Sequence, residues 1–247
     1  MATDKQKISV SNEVKIPSTL DMAKAGLHLG HKTTRHSPQM DPYIYGAKNT
    51  IHIIDLEKTS EKLRGALNFI ASSVSQGANI LFVGTKPAAK DIVKKYAEKL
   101  DIPYVTERWL GGILTNFSTI SGLIEKFNKM QKEKDEGEWE KYTKKERHEF
   151  LKKLDKLQTL VGGIKNLKRK PDIIYIIDIV KEKTGVREAR RSKIPTVAVV
   201  DTNANPELID WPIPANDDAI KSIELITSLV AEAVERGREK TKKTQEH

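Results

Sequence analysis

The chain has no cysteine. Disulfides and thiolate-held metals are therefore excluded, and a reducing compartment suits it. No apolar run approaches the ~20 residues needed to span a bilayer. The first residues, Met1-Ala2-Thr3-Asp4-Lys5-Gln6-Lys7, have no apolar centre of signal-peptide type. With Asp4 and no arginine they do not read as an organellar transit peptide, so a cytoplasmic protein is expected. Phosphate-loop signatures are missing too. Gly84-Thr85-Lys86 is a fragment of one, but Gly-x-x-x-x-Gly-Lys-Ser/Thr occurs nowhere, and no Gly-x-Gly-x-x-Gly follows the first predicted strand. Acidic residues are in deficit, with 34 Asp and Glu against 43 Lys and Arg, a formal net charge of +9. Such an excess suits a polyanionic partner, most commonly nucleic acid.

What is present is organised around Pro171-Asp172-Ile173-Ile174-Tyr175-Ile176-Ile177-Asp178-Ile179-Val180. Apolar residues at both parities mark a central strand of a sheet covered on both faces. Further strands are predicted at 50–55, 79–84, 103–106 and 195–201, alternating with helical stripes. One helix follows Leu56 and stops at Gly77, one opens at Thr85 with Pro87 in its first turn, one covers 182–192, and the last begins after Asp217. This alternation predicts an α/β fold, a doubly wound five-stranded parallel sheet.

The pattern breaks after the third predicted strand. Phe117, Ile120, Ile124, Phe127 and Met130 recur at threes and fours. After a charged turn at 132–145, Phe150, Leu154, Leu157, Val161 and Ile164 repeat at the spacing of a coiled-coil seam. An antiparallel helical hairpin over 113–168 is expected, with arms of roughly 30 Å at ~1.5 Å per residue. The alternative is two ordinary surface helices on the sheet. Residues 1–17 read as a flexible arm, 18–237 as the α/β domain, and 238–247 as a basic disordered tail beyond Gly237. Residues 26–38, with two glycines and three histidines, read as an ordered loop, and 211–214 as an extended segment.

Candidate chemistry gathers at strand ends. Asp55, Asp178 and Asp201 each end a strand and Lys86 follows another, a set that could hold Mg²⁺ and a phosphoryl group. The competing reading is that each aspartate caps the next turn or helix. No serine, cysteine or histidine is placed as a nucleophile beside them, so no catalytic residue is assigned. His28, His31 and His36 have no carboxylate nearby before Asp41 and no cysteine, so no metal or other cofactor is assigned. The loops 28–48 and 108–116 combine cations with glycines, which suits RNA phosphates and sugar edges.

Several strings carry a resemblance. Ala25-Gly26-Leu27-His28-Leu29-Gly30-His31, Phe82-Val83-Gly84-Thr85-Lys86, Arg108-Trp109-Leu110-Gly111-Gly112 with Leu114-Thr115-Asn116-Phe117, Val161-Gly162-Gly163-Ile164, and Ile213-Pro214-Ala215-Asn216-Asp217-Asp218-Ala219-Ile220 stand in order. Over roughly 18–237 the chain resembles the bacterial-type ribosomal protein two family of the small subunit. The resemblance implies a flavodoxin-like domain carrying a coiled-coil hairpin, without catalysis. It also implies contacts with small-subunit ribosomal RNA, with neighbouring small-subunit proteins, and with the mRNA-binding protein one. It assigns RNA contacts to Lys32, Arg35, Lys48, Arg108 and Asn116. Where the family commonly has an aromatic and Asn-Pro-Lys, this chain reads His36-Ser37-Pro38-Gln39, which takes a stacking group and a cation from that loop. The alternative reading is a Mg²⁺-dependent phosphoryl-handling enzyme of flavodoxin-like fold using Asp55, Asp178, Asp201 and Lys86.

Overall fold

In the computed structural model, residues 14–245 are described. Most of the expected arm, 1–13, lies outside them. Val14, within the stretch expected to be flexible, is buried in the core. Ser18 caps a short helix α1 (Thr19–Lys24) by accepting from the Asp21 N–H at 3.2 Å. Its own hydroxyl donates to the Asp21 carboxylate.

Three strands follow, β1 (Leu29–Lys32), β2 (Ile44–Lys48) and β3 (Ile51–Ile54). They form a separate antiparallel sheet in the order β1-β3-β2. Two expectations are corrected here. Residues 26–38 are not all loop, and 50–55 does not open the parallel sheet. The cause is local. Asn49 and Thr50 both have positive φ, the backbone of a two-residue turn, so 51–54 folds straight back on 44–48. A parallel partner would instead need a long crossover.

Asp55 then caps α2 (Leu56–Ser75), accepting from the Glu57 and Lys58 N–H groups at 3.0 and 3.4 Å. The main alternation runs β4 (Ile80–Val83), α3 (Pro87–Lys99) and β5 (Tyr104–Val105). After the helices α4 (Phe117–Asp135) and α5 (Lys144–Val161) it resumes with β6 (Ile173–Ile177), α6 (Lys183–Ser192), β7 (Thr196–Val200), β8 (Trp211–Pro214) and α7 (Ile220–Gln245). The five-stranded sheet has the order β5-β4-β6-β7-β8, with every pairing parallel. The α/β parallel architecture is as expected, but its fifth strand is 211–214. Pro212 and Pro214 disguise it in the sequence, and they are tolerated because β8 is an edge strand.

The pleat sorts the core. Ile80, Phe82, Ile173, Tyr175, Ile177, Val197 and Val199 face one hydrophobic cluster, which also holds Leu63, Leu67, Val93 and Ile226 from the helices on that face. The alternate residues Leu81, Val83, Ile174, Ile176, Ala198 and Val200 face the other, with Trp109, Ile113, Ile120, Phe127 and Val186. All five residues of β6 are buried, as a central strand requires.

Between β5 and β6 stand α4 and α5, joined through a 3-10 turn over Glu138–Lys141. A capping box of Thr143 and Glu146 starts α5. Ile120, Ile124, Phe127, Trp139, Leu154 and Val161 are buried along this stretch.

The expected disordered tail is a further correction, because α7 continues through Gly237 to Gln245. Gly237 does not end the helix; it lets α7 press on α2. A Cβ there would stand 2.8 Å from both the Ala71 carbonyl oxygen and Val74 Cβ. One turn further on, the Thr241 hydroxyl donates to the Ser75 carbonyl at 3.0 Å.

Candidate nucleic-acid interface

The small antiparallel sheet is fastened to the carboxyl end of the parallel strands. The His31 N–H donates to Thr202 Oγ1 at 2.9 Å. The Ser37 N–H donates to the Thr202 carbonyl at 2.9 Å, and the Asn216 N–H to the Leu27 carbonyl at 3.1 Å. Gly30 permits this approach, since a Cβ there would lie 2.6 Å from Thr202 Cγ2.

Across this sheet Lys32 and Lys48 are both register partners of Ile51, one from each flanking strand. Directly opposed residues of antiparallel strands share a face. The two lysines therefore stand on one rung, about 10 Å apart at the usual strand spacing. Arg35 follows in a turn closed by its own N–H donating to the Lys32 carbonyl at 2.8 Å. All three residues are exposed.

Arg108 and Asn116 lie in the loop after β5, and both are exposed. The loop leaves the carboxyl end of β5 and crosses to the far end of α6, where the Ser192 hydroxyl donates to the Leu114 carbonyl at 3.2 Å. Asn116 takes the N-cap position of α4 but makes no capping bond with its side chain, which instead accepts from the Ser118 hydroxyl at 3.0 Å. Among the described residues, no ion pair or side-chain hydrogen bond engages Lys32, Arg35, Lys48 or Arg108. Nor does a hydrogen bond or ion pair join the 32–48 group to the 108–116 group there. The two groups share a core instead, Met40 lying in the same hydrophobic cluster as Trp109, Ile113 and Leu114.

The loop 108–116 is shaped by a residue the sequence did not reveal. Glu188, on α6, turns its carboxylate into the loop. Oε1 accepts from the Gly112 N–H at 2.8 Å and from Trp109 Nε1 at 3.2 Å. Oε2 accepts from the Leu114 N–H at 3.1 Å, the Thr115 N–H at 3.4 Å and the Thr115 hydroxyl at 3.2 Å. Burial alone would raise the pKa of Glu188, but these donors outweigh it and hold the group below its ordinary value. The only hint in the sequence was a tight turn whose N–H groups, lacking a strand partner, needed an acceptor.

The acidic residues considered for catalysis are bound to backbone N–H groups. Asp55 caps α2. Asp178, at φ 66°, accepts from the Lys181 N–H at 2.9 Å, and Asp201 from the Thr202 N–H at 2.6 Å. Lys86 Nζ lies 2.6 Å from Asp217 Oδ1 and 3.4 Å from Asp178 Oδ2. Burial opposes the charge of Lys86, but Asp217 and Asp218 raise its pKa above the usual lysine value. Burial, with Asp201 and Asp178 nearby, pushes Asp217 up to about 7.

The three histidines of the 28–36 segment do not converge. His36 Nε2 is 2.7 Å from Asp41 Oδ1, while His31 lies beside Asp201 and Asp218. The folded chain thus gives His31 the carboxylates that its own segment lacks. One ligand atom each from His31, Asp201, Asp217 and Asp218 lie within 4.8 Å of one another. Imidazole and carboxylates in that proportion are a donor set that could hold a divalent cation.

The sequence model of the family described as ribosomal protein S2 matches residues 22–237. The chain belongs to the ribosomal protein S2 family. The small ribosomal subunit protein uS2 of Chloroherpeton thalassium is 51% identical over 214 residues, covering 87% of this chain and 86% of the relative. That of Helicobacter acinonychis is 45% identical over 219 residues, 89% of each chain. That of Wolinella succinogenes is 44% identical over 218 residues, 88% of this chain and 80% of the relative. The S2 family match spans both sheets and the hairpin, so all five residues assigned to RNA contact lie within it. It also takes in Glu188 and the acidic end of the sheet.

Proposed function

We infer that the chain is a non-catalytic structural constituent of the small ribosomal subunit in the cytoplasm, binding ribosomal RNA and neighbouring ribosomal proteins. The observation that carries this is membership of the S2 family over 22–237. The mechanism is positional. The parallel sheet is the rigid body, and Lys32, Arg35 and Lys48 meet RNA phosphates from the small sheet. Arg108 and Asn116 meet RNA from the loop that Glu188 holds. Exposed cations without a protein partner are free to neutralise phosphate, which is what supports this reading. The helical hairpin extends the footprint, with Phe150 and Leu154 in a coiled-coil seam. The mRNA-binding protein one is included among the neighbours on the family resemblance. The phosphoryl-enzyme alternative loses its basis, because the chain belongs to a ribosomal protein family and its Asp55 and Asp178 serve as backbone acceptors. In a sucrose gradient of cell lysate the chain should sediment with small subunits. Recovery only from the free soluble pool would overturn the reading.

A further inference from the structure

The amino end of the parallel strands, opposite the small sheet, carries a group of charges that the reading above does not use. Lys165, Lys168, Arg169 and Lys170 lead into β6, while Arg190, Arg191 and Lys193 lead from α6 into β7. All seven are exposed. Because β6 and β7 are parallel neighbours, the two approaches meet at the same end of the sheet. Between them lies an open recess of about 850 Å³, walled by Arg169, Lys170, Arg191 and Lys193, with Asp172 as its one carboxylate. We propose that this amino end is a second RNA-contacting surface, on which Lys170, Arg191 and Lys193 neutralise phosphates along one RNA strand. The proposal rests on the reading of the chain as a ribosomal RNA-binding protein.

The local charge balance supports it. Asp172 is already occupied, accepting from the Asn79 N–H at 2.7 Å and from Arg169 Nη1 at 2.8 Å. Among the described residues, no ion pair or hydrogen bond engages the side chains of Lys165, Lys168, Lys170, Arg190, Arg191 or Lys193. Like charges gathered in a concave surface repel one another unless an anion joins them. Part of the group has a simpler explanation, since Arg190 and Arg191 stand in the last turn of α6 and complement its dipole. That account extends to Lys193, the C-cap of α6, but it does not reach Lys168 or Lys170, which belong to no helix.

Two further observations favour RNA over an acidic protein segment. None of the large apolar side chains exposed among the described residues lies in the recess, so it lacks the anchor a protein interface is built around. Thr115 borders the same recess, next to Asn116. The loop already assigned to RNA therefore ends where the new surface begins.

The test uses the full chain and naked small-subunit ribosomal RNA, with binding measured by filter retention across a salt series. Arg191→Gln combined with Lys193→Gln, and separately Lys168→Gln combined with Lys170→Gln, should each weaken binding several-fold. Each pair should lower the slope of log K against log salt by about 0.7–0.9 for every phosphate no longer neutralised. Circular dichroism should match the wild type, because the side chains are exposed, and Tm should fall only slightly, in the Arg191→Gln pair, from the lost helix-dipole contribution. Hydroxyl-radical footprints should show protection withdrawn from an RNA segment other than the one released by Lys32→Ala with Arg35→Ala. If the wild type binds and both amino-end pairs keep its affinity and slope, the surface is overturned while the ribosomal reading stands. Loss of subunit association with naked RNA binding intact would overturn it in favour of an acidic protein partner. A wild type that does not retain naked RNA at all would overturn this surface, while the ribosomal reading stands or falls on sedimentation with small subunits.

Discussion

The Glu188 carboxylate accepts the Gly112 N–H at 2.8 Å, joining α6 to a loop 76 residues away in sequence. With Trp109, Leu114 and Thr115 as further donors, this one side chain organises the entry to the helical hairpin. Replacing it by alanine would leave several buried donors without an acceptor, at about 1–3 kcal/mol for each left unsatisfied. We expect Glu188→Ala to lose about 2–4 kcal/mol in urea unfolding. Glu188→Gln should lose less, because one amide oxygen still accepts.

The same residue sets a pH dependence. Its folded pKa lies below the unfolded value, so its contribution is present above the unfolded glutamate pKa of about 4.3 and lost as pH falls through the folded value. The urea midpoint of the wild type should therefore fall more steeply below about pH 4.3 than that of Glu188→Gln. Parallel acid limbs in the two proteins would show that Glu188 carries no such linkage.

On the cationic rung, Lys32→Ala and Arg35→Ala should each weaken association with the small-subunit RNA. Each should also flatten the dependence of log K on log salt by about 0.7–0.9 per phosphate left without its cation. Lys99→Ala is the control, since Lys99 is paired with Glu235 at 2.9 Å on the helical face. An unchanged slope for both rung variants would make them bystanders.

In the hairpin, the Phe150 ring lies 5.5 Å from Trp139 and 5.2 Å from Tyr142 between centroids. Phe150→Asp would place a charge in this aromatic cluster, and a loss of about 2–4 kcal/mol is expected. Helix content by circular dichroism and the melting curve should both fall. If neither changes, the hairpin does not depend on this cluster.

The central strands were legible because burial on both faces forces apolar residues at both parities, as in 173–177. The apolar stripes of α4 and α5 were legible for the equivalent helical reason. What failed was non-local or disguised. The prolines of 211–214 hid an edge strand. The pairing of 51–54 was decided by the backbone at Asn49 and Thr50, not by its own apolar pattern. Gly237 read as a stop, although its role is close packing on α2. At the candidate interface, Lys32 and Arg35 stood out as cations in a glycine-containing segment. That Lys32 shares a rung with Lys48 depended on strand register, which no motif records. Glu188 was invisible because its partners lie in a distant loop. The carboxylates beside His31 were hidden for the same reason, Asp201 and Asp218 coming from segments far along the chain.

The most direct test of the central claim is a cryo-EM map of small ribosomal subunits from cells expressing this chain. The account predicts density for the α/β domain and hairpin, with Lys32, Arg35 and Lys48 facing RNA phosphates. Subunits resolved throughout but lacking the chain, or holding it with that face turned to solvent, would contradict it.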